Sequence, residues 1–188
     1  MSLLFQVPIA DACRAGAAVV LGIAGLMPLS ASADSTADAK TSHTLPKPTG
    51  PVILVVDGAI EHTNFPGEAR FDMQMIDSLP AHTISTTTSV TDGVHKFDGV
   101  RMQDLMDSVG PTGKKVVASA LNDYRVNIPI ADFADYGVLL ATKMSGERLQ
   151  ANDKGPLWIV YPRDDYNRLM DIRYDVRWVW QLKRLTVE

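Results

Sequence analysis

Ala120-Leu121-Asn122-Asp123-Tyr124 and Lys154-Gly155-Pro156-Leu157-Trp158-Ile159-Val160-Tyr161-Pro162-Arg163 are the two runs whose reading decides the fold. Each sets polar groups at the mouth of an apolar segment, where a strand holds them still and offers them to a small ligand. Around the first run, Lys115 to Ala120 reads as a strand. Arg125 to Ile130 alternates Val126, Ile128 and Ile130 against polar neighbours, so Asn122-Asp123-Tyr124 joins two strands. Around the second, Leu157 to Tyr161 is a strand, and Val176 to Val187 alternates like one that closes the domain.

The remaining segments follow the same punctuation. Val52 to Asp57 is a continuous apolar run ended by Gly58, a buried first strand, and the loop Glu61 to Gly67 is long enough to overhang a pocket. Asp72 is an N-cap for a short helix stopped by Pro80. His82 to Val90, rich in Thr and Ile, favours extended chain, and Asp92-Gly93 is a turn signal. Met102, Leu105, Met106 and Val109 stand at helical spacing before Gly110-Pro111. A short acidic helix at Asp132 to Tyr136, a strand at Val138 to Met144 and a Ser145-Gly146 turn complete the series. There is no internal repeat and no βαβ alternation, so the predicted class is α+β with mixed strands and a few short helices.

The chain has 188 residues, 46% of them hydrophobic, which suits one domain with a sizeable core. A net charge of -4 argues against a nucleic-acid partner, which needs a basic face. Ala15 to Leu29 is an apolar, small-residue stretch after Arg14 and before Ala31-Ser32-Ala33, the pattern a signal peptidase accepts. The expected organisation is therefore a signal peptide at 1–33, a Ser-, Thr-, Ala- and Pro-rich linker at 34–50 and a folded domain at 51–188, with a periplasmic location. The single cysteine, Cys13, falls in the expected signal, which removes thiolate metal sites and disulfides from the mature chain.

Together with Phe97-Asp98-Gly99-Val100 before them and Trp178 to Val187 after, the two opening runs resemble the oxidoreductase molybdopterin-binding domain family, which has the sulfite oxidase fold. Asn122-Asp123-Tyr124 is similar to that family's Asp-Gly-Tyr-like turn, without its glycine. Gly155-Pro156-Leu157 and Val160-Tyr161-Pro162 resemble a later strand, and Trp178-Val179-Trp180 the closing one. The resemblance implies a pterin pocket and a molybdenum held by a cysteine upstream of Phe97. Its usual spacing falls in Ser85 to Ser89, on Thr86 or Thr87, where there is no thiol. A hydroxyl is a harder and far less acidic donor, so it does not reproduce that metal site. Arg14 stands alone, whereas the family's exported enzymes are expected to travel folded, with cofactor, behind a twin-arginine signal.

The expectations follow. No catalytic residue and no metal are assigned; no cofactor is expected, although the resemblance implies molybdopterin. The ligand-binding candidates are Thr87, Thr88, Asn122, Asp123, Tyr124, Lys154, Tyr161 and Arg163. Arg163, Arg168, Arg173 and Arg177 are interspersed with Tyr166, Tyr174, Trp178 and Trp180, which suits a planar or anionic ligand. The interleaved Asp164, Asp165, Asp171 and Asp175 equally suit surface ion pairs, and the tryptophans a core-facing strand. His62 and His95 stand on loops that can approach the pocket, but no histidine pair has metal-ligand spacing. No Gly-x-Ser-x-Gly elbow or glycine-rich phosphate loop occurs. The leading expectation is a periplasmic ligand-binding or sensory module for a small anionic or planar ligand, reporting to a membrane-bound signalling or redox partner. The alternatives are a molybdopterin-dependent oxidoreductase with an oxygen metal ligand from the threonine strand, and a structural protein-interaction domain.

Overall fold

The computed structural model describes residues 45–188; the expected signal peptide, Cys13, His43 and the first part of the expected linker lie outside the described residues. The class is α+β, as the sequence predicts, with two five-stranded sheets and short helices. The first sheet contains β1 (Leu54–Gly58), β2 (Glu68–Phe71), β5 (Lys115–Ala120), β6 (Arg125–Pro129) and β10 (Leu182–Val187), in the order β2-β1-β10-β5-β6. Leu54 and Val56 of β1 are fully buried, as the apolar run requires. β1 runs parallel to β10, with Val55 opposite Arg184, while the other pairs of this sheet are antiparallel.

The second sheet contains β3 (Ala81–Thr87), β4 (Val94–Arg101), β7 (Leu139–Met144), β8 (Glu147–Arg148) and β9 (Trp158–Val160); β7 pairs with β4 on one side and with β8 and β9 on the other. The β4–β7 register shifts between Asp98 and Gly99. A Cβ on Gly99 would stand 2.1 Å from the Leu140 carbonyl oxygen, so the close approach there requires glycine. One core runs through both sheets, from Leu54 and Val56 through Phe97, Val116 and Leu140 to Trp158, Tyr161 and Leu185.

The helices are short and clearly bounded. Asp72 caps α1 (Met73–Asp77) by accepting the Met75 N–H at 2.9 Å. α2 (Met102–Val109) buries Met102, Leu105, Met106 and Val109 and ends on Gly110 in the left-handed region, φ 61°. α3 (Ala131–Tyr136) follows β6, and α4 (Ile172–Asp175) follows two 3-10 turns at Arg163–Asp165 and Asn167–Met170.

Three local expectations change. The expected linker extended to Gly50, but its last residues lie on the domain. The Asp72 carboxylate accepts the N–H groups of Thr49 at 2.7 Å and Gly50 at 2.8 Å, Asn64 Nδ2 donates to the Pro46 carbonyl, and Leu45 packs against the core. The loop from Glu61 docks on the end of α2, where the His62 N–H donates to the Val109 carbonyl, and contributes no residue to the cavity at Tyr124 and Trp178. The closing strand begins at Leu182 rather than Val176, because the N–H groups of Arg177 and Trp178 turn back to Tyr174 and Asp175, and Gln181 takes φ 52°.

Candidate functional site

A cavity of about 360 Å³ opens where four segments converge. Ser89 and Val90 come from the β3–β4 connection, and Ala120, Asn122 and Tyr124 from the end of β5 and its turn. Ile172, Asp175 and Val176 come from α4 and the residue after it, and Trp178 and Trp180 from the strap before β10. The turn is shaped by its own residues. Asn122 Oδ1 accepts the Tyr124 N–H at 3.1 Å, and Asp123 takes φ 63°, a region short polar side chains tolerate. The Tyr124 hydroxyl then donates to the Val176 carbonyl at 2.7 Å, tying the turn to the end of α4. Asp171 caps α4 through the Arg173 N–H, and the Arg173 guanidinium bound to it draws its pKa down to about 2.

The walls are mostly apolar and aromatic. Trp178 is 4% exposed yet lines the cavity, with Trp158 behind it at 6.2 Å between ring centroids and 6.5 Å from Trp180. These tryptophans are core and pocket wall at once. Asp175 is the charged side chain on the lining. Arg163 Nε lies 3.6 Å from Asp175 Oδ1, an ion pair without a hydrogen bond.

Of the residues singled out in the sequence, Asn122, Tyr124, Trp178 and Trp180 meet in this cavity, with Arg163 one contact away. Asp123 is exposed and pairs with Lys183 at 2.9 Å, whose ammonium lowers its pKa. Lys154 pairs with Asp153 at 2.9 Å. Tyr161 is fully buried and donates to Asp132 Oδ2 at 2.9 Å, an oxygen that Arg177 also binds. Burial and the Asp132 charge push the Tyr161 phenol up. Thr88 Oγ1 is spent on a local turn, accepting the N–H groups of Val90 and Thr91. His62 and His95 are absent from the lining; His62 Nδ1 lies 3.1 Å from the Ser108 carbonyl and His95 Nε2 2.9 Å from that of Asp92.

Thr86 and Thr87 are held by Asp164. The Thr87 N–H and Oγ1 both donate to its carboxylate, at 2.7 and 2.6 Å, and the Asp164 N–H donates to Thr86 Oγ1 at 3.2 Å. Sequence reading missed Asp164 and Asp175 as site residues because interleaved Asp and Arg suit surface pairing, which is what Arg173 and Asp171 do form. It missed Val90, Ile172 and Val176 because isolated aliphatics carry no chemical signature. Their exposure, 43%, 74% and 46%, is the signal that only the fold supplies.

The profile of the family described as "Oxidoreductase molybdopterin binding domain" matches residues 67–168, more than half of the chain. The chain belongs to this molybdopterin-binding family. Among solved structures it is similar to the sulfane dehydrogenase SoxCD from Paracoccus pantotrophus, at 19% identity and a TM-score of 0.54, over 71% of this chain and 37% of that one. That likeness is one of fold, of the sulfite oxidase type, and the chain spans little more than a third of the SoxCD chain's length. A search of the curated proteins finds no match.

The molybdopterin-binding family implies a metal and a phosphate-bearing pterin, and the donor set tests both. No thiol occurs among the described residues, and none of their His, Asp and Glu side chains gather in threes as a metal site. At the threonines the hydroxyls are already bonded, and a carboxylate stands over them. Of the nearby arginines, Arg173 pairs with Asp171 and Arg177 with Asp132, Arg163 lies beside Asp175 without a hydrogen bond, and Arg168 stands 5.9 Å from the Tyr174 ring centroid. These residues do not fit a thiolate-held molybdenum.

Proposed function

We propose that this member of the molybdopterin-binding family works without molybdenum, as a periplasmic module that binds a small planar ligand in the cavity between Tyr124, Trp178 and Trp180. One observation carries the reading: the Asp164 carboxylate takes the Thr87 N–H and hydroxyl at 2.7 and 2.6 Å, where the family resemblance puts the metal ligand. A carboxylate oriented by two donors at that position repels an anionic cofactor, and the Thr87 hydroxyl bonded to it is a harder and far less acidic donor than a thiol. The cavity, meanwhile, has the volume and aromatic lining of a small-molecule site. Export is supported by the Ala15 to Leu29 stretch and Ala31-Ser32-Ala33.

The test is elemental analysis for molybdenum, with pterin fluorescence after oxidation, on protein purified from its own host under molybdate-replete growth. The expected result is a folded chain with neither. Near-stoichiometric molybdenum and pterin, lost on replacing Thr86 and Thr87 by Val, would overturn the proposal in favour of an oxidoreductase with an oxygen ligand. N-terminal sequencing of the periplasmic fraction should begin at Asp34; recovery in the cytoplasm alone would refute export.

A further inference from the structure

We infer that the ligand of this cavity is a flat organic monocation, such as a protonated or quaternary heteroaromatic amine; this rests on the cavity being the binding site proposed above. The charge on the walls has one sign. Among the described residues Asp175 is the one acidic side chain on the lining, and no lysine or arginine joins it there. Trp178, Trp180 and Tyr124 line the same cavity, and the face of such a ring attracts a cation through its negative quadrupole. Tyr124 offers its ring rather than a free hydroxyl, since that proton is given to the Val176 carbonyl.

The nearest cation, Arg163, leaves room for this role. Its Nε stands 3.6 Å from Asp175 Oδ1 and makes no hydrogen bond with it, so the carboxylate is compensated in charge but not saturated in bonding. Asp175 Oδ1 is shielded from solvent; Oδ2 is the atom left to meet a ligand N–H or N-methyl group. An anion entering the same space meets the Asp175 carboxylate, with no lysine or arginine on the lining to bind it. The rim is aliphatic and exposed, at Val90, Ile172 and Val176, which suits the hydrocarbon edge of a flat ring system.

Three probes of nearly one shape separate charge from fit: 1-methylquinolinium, its uncharged isostere 1-methylnaphthalene, and the anion 1-naphthoate. Equilibrium dialysis against the full chain is expected to give about tenfold tighter retention of the quinolinium than of the naphthalene, with naphthoate weakest. Asp175→Asn should narrow that gap to about threefold or less while leaving naphthalene within twofold, and Arg163→Met should widen it by about threefold. The opposite signs of the two variants exclude a merely structural effect, since loss of packing weakens every probe together, and near-UV circular dichroism checks each fold. Naphthoate bound as tightly as quinolinium, or a gap undiminished by Asp175→Asn, would overturn the inference and leave the cavity as a site for another ligand class. Retention of no probe would overturn the cavity itself as the site, and this inference with it.

Discussion

Replacing Tyr161 by Phe tests whether the buried group behind the cavity is a working hydrogen-bonded triad. The Tyr161 hydroxyl donates to Asp132 Oδ2 at 2.9 Å, Tyr161 is fully buried and Asp132 is 7% exposed. A hydrogen bond to a charged acceptor contributes about 1.5–3 kcal/mol. Phe keeps the ring and opens no cavity, and Arg177 still binds the same oxygen, so the loss should fall near about 2 kcal/mol. For a domain of this size that is about 4–8 °C in Tm. Arg177→Met removes the cation instead and leaves a buried carboxylate with one neutral donor, which costs about 3–5 kcal/mol. Urea unfolding measures both, with m unchanged if the native and unfolded states keep their compactness. The pH dependence adds a sign. The phenol is held above its ordinary value of 10.0, so its contribution is complete below that pH and is lost as pH rises past it, when only the unfolded chain ionises. A Tyr161→Phe variant within about 0.5 kcal/mol of the parent, or one costing more than Arg177→Met, would refute the reasoning.

Three further outcomes are expected. Asp72→Ala should lower stability and release residues 45–50, seen as faster amide exchange at Thr49 and Gly50. The N–H groups of Gly50 and Met75 hold the Asp72 pKa below 3.8, so its contribution is present above that pH and lost as pH falls through the lower folded value; the variant should lack that part of the acid limb. Gly99→Ala places a Cβ 2.1 Å from the Leu140 oxygen and should cost at least about 3 kcal/mol or prevent soluble expression; a variant as stable as the parent would deny the close β4–β7 approach. Asp164→Ala should speed exchange at Thr87 and through the Ser89-Val90 side of the cavity with little change in β7; unchanged exchange there would show that the carboxylate does not hold the threonine strand.

Much of the fold was legible because it is written in local chemistry. Asp72 caps α1, Gly110 ends α2 in the left-handed region, and the apolar spacing from Met102 to Val109 is the face that α2 buries. The site was legible in part. Asn122 and Tyr124 were readable because a polar turn joins two strands there, whereas Trp178 and Trp180 were left between pocket and core, since the strand alternation expected of them is replaced by a strap before β10. Lys154 and Tyr161 were drawn from the same motifs yet stand elsewhere, Lys154 on Asp153 and Tyr161 on Asp132, because a motif fixes neighbours in sequence and not the side of the strand that faces a cavity. Which aspartate meets which arginine is a matter of three-dimensional distance. Asp164, Asp165, Asp171 and Asp175 are equivalent by composition; Asp164 reaches back to Thr87 and Asp175 reaches Arg163 only because two 3-10 turns and α4 fold the intervening chain.

The parallel pairing of β1 with β10 sets the order in which this domain can close. β10 lies between β1 and β5, so the strand farthest along the chain from β1 is the middle plank of the first sheet. The β1–β2 pair and the β5–β6 hairpin can form early, but they stay separate until Leu182–Val187 arrives to join them, and the Val55–Arg184 contact closes almost the whole length of the domain as a loop. Contacts of such sequence separation make folding slow.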